Sequence, residues 1–255
     1  MKASGVQRIA LVTDFGGGPY VGQVLLRLHA QAPGMRAIDL VSDLAPFRPD
    51  LAAYLLPALV RDVPRGTLFL SVVDPGVGGD RAVLAMAADG QWFVGPDNGL
   101  LAVMARRAQE LAVWSVRWRP SWSSDSFHGR DVFAPIAACL ATGEDLDAEP
   151  MAPQGMVGWD WPTDLAKVVY VDRYGNLVLG WRAGGLDRRA RLRVGPVDLP
   201  YARTFSDAPA GSGFWYENAF GLVEVAVNQD RADQAFGLTA GDDLAPPIGS
   251  SCSIE

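Results

Sequence analysis

The sequence predicts an α/β N-terminal domain, a mainly parallel sheet with helices on both faces, followed by a smaller all-β, barrel-like C-terminal domain. Three observations carry this. Over residues 1–146, short apolar runs alternate with stretches of helical spacing, the pattern of strands joined by crossover helices. Residues 147–163 combine prolines, tryptophans and methionines with no period and read as a linker. From 164 to 255 the apolar runs are short, close together and separated by tight turns, as in a small barrel or sandwich.

Each element has its own signal. Ile9–Thr13 is a β-type run that ends at Asp14-Phe15 and three glycines, and Tyr20–Ala32 then places Val21, Val24, Leu25 and Leu28 on one helical stripe. Ala37–Val41 is a strand. Asp50–Asp62 is a helix stopped by Pro64, and Thr67–Val73 a strand. Val83–Ala88 and Trp92–Val94 form a hairpin around Asp89-Gly90. Asn98–Arg107 is a helix, Ala112–Val116 a strand and Val132–Ala141 a helix. In the second half, strands are expected at Lys167–Asp172, Asn176–Trp181, Arg191–Val194, Tyr201–Phe205, Phe214–Glu217 and Leu222–Val227, with a short helix at Arg231–Phe236.

Composition narrows the function. The chain has 255 residues, 49% of them hydrophobic, enough for one large core or two modest ones. A net charge of −7 leaves nothing to neutralise a nucleic-acid backbone. Cys139 and Cys252 form neither a disulfide framework nor a metal pattern, which fits a reducing cytoplasm. The polar Met1–Arg8 segment is no signal peptide, and no apolar run reaches membrane-spanning length.

The chemistry-bearing residues collect at strand and helix ends. Leu68–Val73 runs into Asp74-Pro75-Gly76-Val77-Gly78, with Arg81 seven residues after the acid; His128, one of two histidines, stands in Phe127-His128-Gly129-Arg130-Asp131 before a helix. In an open parallel sheet the ligand crevice lies beyond the strand C-termini. Asp14, Asp74, Asp97-Asn98 and His128 would therefore share one rim. A carboxylate, a guanidinium and an imidazole there can hold and deprotonate a water.

At these residues the chain resembles the S-adenosylmethionine hydroxide adenosyltransferase family, related to the bacterial fluorinase and chlorinase. The resemblance rests on Thr13-Asp14-Phe15-Gly16 with Tyr20-Val21-Gly22, Val72–Gly78, Gly95–Leu100, Phe127–Pro135, Val171–Leu177 and Gly221–Asn228, in that order along nearly the whole chain. It implies hydrolysis of S-adenosylmethionine to adenosine and methionine by hydroxide attack on ribose C5′, with no metal and no cofactor. It implies Asp74, Arg81 and His128 as the catalytic set, with His128 accepting the water proton, Arg81 stabilising the nascent hydroxide and Asp74 fixing their geometry. Asp14 would chelate the ribose hydroxyls and Phe47 pack beside the ribose. Asp172, Tyr174 and Asn176 would meet the methionine end, Phe205 stack on adenine and the backbone around Val227 read its edge, with Glu224 in the same strand motif. It further implies homotrimers with active sites shared between neighbouring subunits.

Two departures lie where the methionine end would be held. Gly16-Gly17-Gly18-Pro19 is shorter than the family pattern and lacks its acidic residue, and Ala219 replaces a usual serine. Three other readings remain open at this point. One is a halide adenosyltransferase, although Gly129 stands where the fluorinase has a halide-binding serine. Another is a magnesium- or manganese-type hydrolase using Asp14, Asp74, Asp97, Asn98, His128 and Asp131. The last is an adenosyl-ligand binding protein without turnover.

Overall fold

A computed structural model describes residues 1–244. The chain divides into two compact units, Met1–Trp161 and the part from Pro162 onward. Cys252 lies outside the described residues. Among those described, no helix is long and apolar enough to cross a membrane.

Unit 1 contains β1 (Arg8–Thr13), α1 (Pro19–Gln31), β2 (Arg36–Val41), α2 (Pro49–Val60), β3 (Thr67–Val72), β4 (Val83–Ala88), β5 (Gln91–Pro96), α3 (Ala102–Arg107), β6 (Leu111–Val116), α4 (Ala134–Thr142) and β7 (Ala148–Met151). The strands form one seven-stranded sheet of order β2-β1-β3-β5-β4-β6-β7. β2, β1, β3 and β5 run parallel, whereas β4, β6 and β7 pair antiparallel. The sheet is therefore mixed rather than mainly parallel. The turn at Asp89-Gly90, where both residues take positive φ, folds β4 back against β5 and sets the direction of all that follows.

β3 is buried along its whole length. Leu68, Leu70 and Val72 join Val24 and Leu28 of α1 and Ile136 and Leu140 of α4 in the main core. Phe69 alternates to the other side, where its ring stacks on Phe93 at 5.2 Å. α2 and α3 pack against each other and contribute nothing to the first core, so both faces of the sheet are covered.

The stretch expected as a linker, 147–163, belongs to unit 1 as far as Trp161. β7 adds to β6 with Met151 opposite Val113 and Ala148 opposite Val116. Val157 donates its N–H to Asp97 at 3.0 Å. The Trp161 ring covers Gly99, whose φ of 96° and lack of a side chain make room for it. β7 carries no strand signal in the sequence, being a four-residue edge strand that contains Pro150. Proline is tolerated at an edge, and pairing on one side demands no apolar alternation.

Unit 2 contains β8 (Leu165–Val171), β9 (Leu177–Arg182), β10 (Leu192–Val194), β11 (Val197–Leu199), β12 (Gly213–Glu217), β13 (Leu222–Val227) and α5 (Ala232–Phe236). Among the described residues, strand pairing gives an open antiparallel sheet of order β12-β13-β9-β8 and a separate β10–β11 ribbon. The core centres on Trp215, fully buried, with its indole N–H donated to the Ala190 carbonyl at 3.0 Å. Tyr201–Phe205 is not a strand: Tyr201 makes a single bridge to Trp215, and Phe205–Asp207 winds into a short 3₁₀ turn.

Candidate active site

The segment between β3 and β4 carries two of the expected residues. It leaves β3 at Val73, whose carbonyl accepts from Asn98 Nδ2 at 2.8 Å, and rejoins the sheet at Ala82, whose carbonyl accepts from the Asp97 N–H at 3.0 Å. Asp97 and Asn98, expected on the rim, instead hold both ends of this segment. Within it, Arg81 grips Asp74 with two parallel bonds, Nε to Oδ1 at 2.9 Å and Nη2 to Oδ2. The pair is well shielded, with side chains 12% and 6% exposed. Arg81 Nη2 also lies 3.0 Å from His128 Nδ1, so Asp74, Arg81 and His128 form one chain of contacts.

His128 stands immediately before a π-helical turn, Gly129–Phe133, that leads into α4. The ring of Phe15 lies so near Gly129 that an added Cβ would approach it to 2.6 Å. Any side chain there would force the Phe15 ring to move. Asp131, 1% exposed, anchors the loop in front of His128: it accepts Ser124 N–H at 3.2 Å and Ser124 Oγ at 2.7 Å, and binds Arg130 through both oxygens. The Arg130 guanidinium is the main reason its carboxyl lies well below the usual carboxylate range.

Asp14, Phe47, Asp74 and His128 line one cavity of about 380 Å³, together with Phe15, Tyr20, Pro46 and Phe127. Arg81 is not in its wall; it touches Asp74 and His128, which are. Asp14 accepts the Phe47 N–H at 3.1 Å, and burial raises its carboxyl above the ordinary value. Phe47 holds a φ of 63°, rare for a bulky residue, and leaves its ring 72% exposed. Burial is also the main cause that lowers the His128 imidazole, with Arg81 next.

A second cavity, about 700 Å³, lies on unit 2 and gathers Asp172, Tyr174, Asn176, Phe205 and Val227 with Tyr216 and Arg231. Asp172 accepts the N–H groups of Tyr174 and Asn176, both at 2.8 Å, and Asn176 Nδ2 at 2.9 Å, so its carboxylate knits the turn as well as facing the cavity. Phe205 meets Phe214 and Tyr216 edge-on at 5.2 and 5.5 Å. Glu224 does not line the cavity. It is 5% exposed and accepts from the Tyr216 hydroxyl and from Asn218 Nδ2 at 2.8 Å. Tyr216 presents the surface expected of Glu224, because the two stand opposite each other on β12 and β13. That pairing was the available signal, visible once both strands are laid side by side.

Two residues of the metal-centred reading are engaged elsewhere. Asp131 is committed to Arg130 and Ser124, and Asp97 to Val157. Among the described residues, no group of three or more His, Cys, Asp or Glu side chains is placed to hold a metal ion.

Two compact units, each with a cavity lined by polar and aromatic side chains, correspond to a known pair of domains. Residues 9–149 match the SAM hydroxide adenosyltransferase N-terminal domain and residues 166–245 the C-terminal domain of the same family. The chain belongs to this family. It is 38% identical to an (R)-S-adenosyl-L-methionine hydrolase of Thermus thermophilus, over 91% of this chain and 96% of that one. It is 39% identical to a protein of the same name from Salinispora arenicola, over 94% and 98%. Among solved structures, an uncharacterized conserved protein from Thermotoga maritima matches with a TM-score of 0.82 at 29% identity, covering 92% of this chain and 98% of that one.

Proposed function

We propose that the protein hydrolyses S-adenosylmethionine to adenosine and L-methionine, hydroxide displacing methionine from ribose C5′. The observation that carries this reading is the Asp74–Arg81–His128 chain of contacts beside Asp14 in one cavity. The names of the relatives add the configuration at sulfur, so the R epimer is the substrate to offer first. Asp14 binds the ribose hydroxyls and Phe47 packs on the sugar. The rings of Phe15, Tyr20 and Phe127, with centroids 5.2–6.5 Å apart, suit a sulfonium cation through their π faces. The thioether leaves neutral, so no general acid is required. Positioning of the nucleophile in line with the C–S bond is the main demand.

Asp172, Tyr174 and Asn176 take the methionine end, Phe205 stacks on adenine and the backbone at Val227 meets its edge. The reading includes a homotrimer in which neighbouring subunits complete each other's site, and a cytoplasmic setting. The expected residues divide between two cavities, one on each unit, as a composite site requires.

The test is incubation of each sulfonium epimer with the purified protein in water enriched in heavy oxygen, with and without chloride. The expected product is adenosine with one solvent oxygen at C5′, plus methionine. A 5′-chloro nucleoside, or substrate unchanged under every condition, overturns the reading.

A further inference from the structure

His128 was expected to take a proton from water, and its surroundings argue against that role. Its Nδ1 lies 3.0 Å from Arg81 Nη2, and a guanidinium has only N–H groups to offer. Nδ1 is therefore the acceptor, and in the neutral ring the proton sits on Nε2. Arg81 is not free to turn away. Its Nε and Nη2 are bound to the two oxygens of Asp74, and its Nη1 points at the Gly79 carbonyl at 3.4 Å. The one lone pair with which a neutral His128 could accept a proton is thus already in use.

We propose that His128 serves the nucleophile as a hydrogen-bond donor through Nε2–H, so that the cavity takes up hydroxide from solution as an anion. This rests on the hydrolytic reading of the same site. The charged groups facing His128 are Asp74 beyond β3, Arg81 before β4, and Arg119 and Asp125 on the segment after β6. Burial, Arg81 and Arg119 disfavour the cationic ring, while Asp74 and Asp125 oppose them. Arg81 is neutralised by Asp74. Arg119 instead donates to the Val116 and Trp118 carbonyls at 2.7 and 2.9 Å, and among the described residues no ion pair offsets its positive charge, which stands against that of Asp14 in the cavity wall.

The step balances without a base. The hydroxide oxygen forms the bond to C5′ with its own electron pair, and its hydrogen stays on as that of the 5′-hydroxyl. The C5′–S bond breaks, and its pair goes to sulfur, which departs as the neutral thioether of methionine. Supply of the ion is adequate. At pH 7 hydroxide is about 10⁻⁷ M, and a diffusional ceiling on the order of 10⁸–10⁹ M⁻¹s⁻¹ allows roughly 10–100 turnovers per second.

The tautomer can be read without any substrate, from the ¹⁵N shifts of histidine-labelled protein at pH 7.5, with His128→Gln identifying the resonances. The expected result is a protonated Nε2 and a bare Nδ1 on His128, with the preference weakened in Arg81→Met. Protonated Nδ1 overturns the proposal. In turnover, kcat/KM should rise tenfold per pH unit from about pH 6 to 9, through and beyond the ordinary imidazole value of about 6.5. Removing one such donor typically costs about 10²–10³-fold; His128→Ala should lose that much, while His128→Gln, which keeps an N–H but cannot act as a base, should recover at least tenfold of it. A plateau above pH 6.5 together with a Gln variant as inactive as Ala makes His128 the base and refutes the proposal. If S-adenosylmethionine is never consumed, the hydrolytic reading fails and takes the nucleophile with it, and the shifts still report the tautomer.

Discussion

Asp14 and Phe47, 33 residues apart, are joined by a hydrogen bond of 3.1 Å from the Phe47 backbone to the Asp14 carboxylate. The bond fixes a bulky residue in the left-handed region and sets its ring at the mouth of the cavity. The carboxylate and the aromatic surface, expected as separate contributors to a ribose site, therefore stand or fall together.

Burial raises the Asp14 carboxyl, so its charged form costs stability, and that cost appears as pH rises through the folded-state value. Asp14→Asn should then melt higher than the parent at pH 7–8, and the advantage should vanish below about pH 3.9, the ordinary aspartate value. The same variant should bind adenosine more weakly. Thermal melts across pH decide it; a lower melting temperature at pH 8 contradicts the argument.

Asn98 is not in the wall of the cavity that holds Asp14 and Asp74, yet it ties the carbonyl next to Asp74 to the end of β5. A misplacement of 1 Å can cost about 10²-fold in rate. Asn98→Ala is expected to lower kcat by about 10- to 100-fold while leaving KM nearly unchanged. Steady-state kinetics suffice, and a change confined to KM would place Asn98 in binding.

Buried Glu224 is paired with half-buried Tyr216, and its carboxyl is raised, chiefly by burial. Tyr216→Phe leaves that carboxylate short of a donor and should cost about 1–3 kcal/mol. Glu224→Gln should gain stability relative to the parent as pH rises, because the cost of the charged form is removed. Urea unfolding at pH 5 and pH 8 measures both; equal stability of Tyr216→Phe and the parent at pH 8 rules out the pairing.

A shared site predicts complementation. His128→Ala and Asn176→Ala proteins, each nearly inactive, should regain activity when mixed under conditions that exchange subunits, since a mixed trimer can hold sites free of both changes. Mixed trimers that form and stay inactive would place each site within one chain.

Much of unit 1 can be read from local pattern. β3 is legible as an unbroken apolar run because both its faces are covered, and the hairpin because Asp89-Gly90 accepts positive φ. Sheet direction is not local: nothing in β4 or β6 alone says that they oppose their neighbours. The resemblance implied Asp74, Arg81 and His128 as one set, but local sequence says nothing of the hydrogen bonds that hold Arg81 against Asp74 and 3.0 Å from His128 Nδ1. Glu224 misled for a related reason. An acid within a matching motif reads the same whether it faces a ligand or the tyrosine opposite it, and only the cross-strand register separates the two.

The order of strands in unit 1 also bears on how the protein is made. β3 and β4 follow each other in the chain, but β5, which comes later, lies between them in the sheet. The segment with Asp74 and Arg81 therefore bridges a gap that exists only until β5 inserts, and its two ends are tied down by Asp97 and Asn98, which follow β5. His128 arrives later still. Non-local pairing must meet its loop-closure entropy before its contacts repay it, and the grouping of Asp74, Arg81 and His128 depends on that pairing. A complete but half-folded chain carries every one of these side chains without the arrangement, which exists only when the sheet is finished.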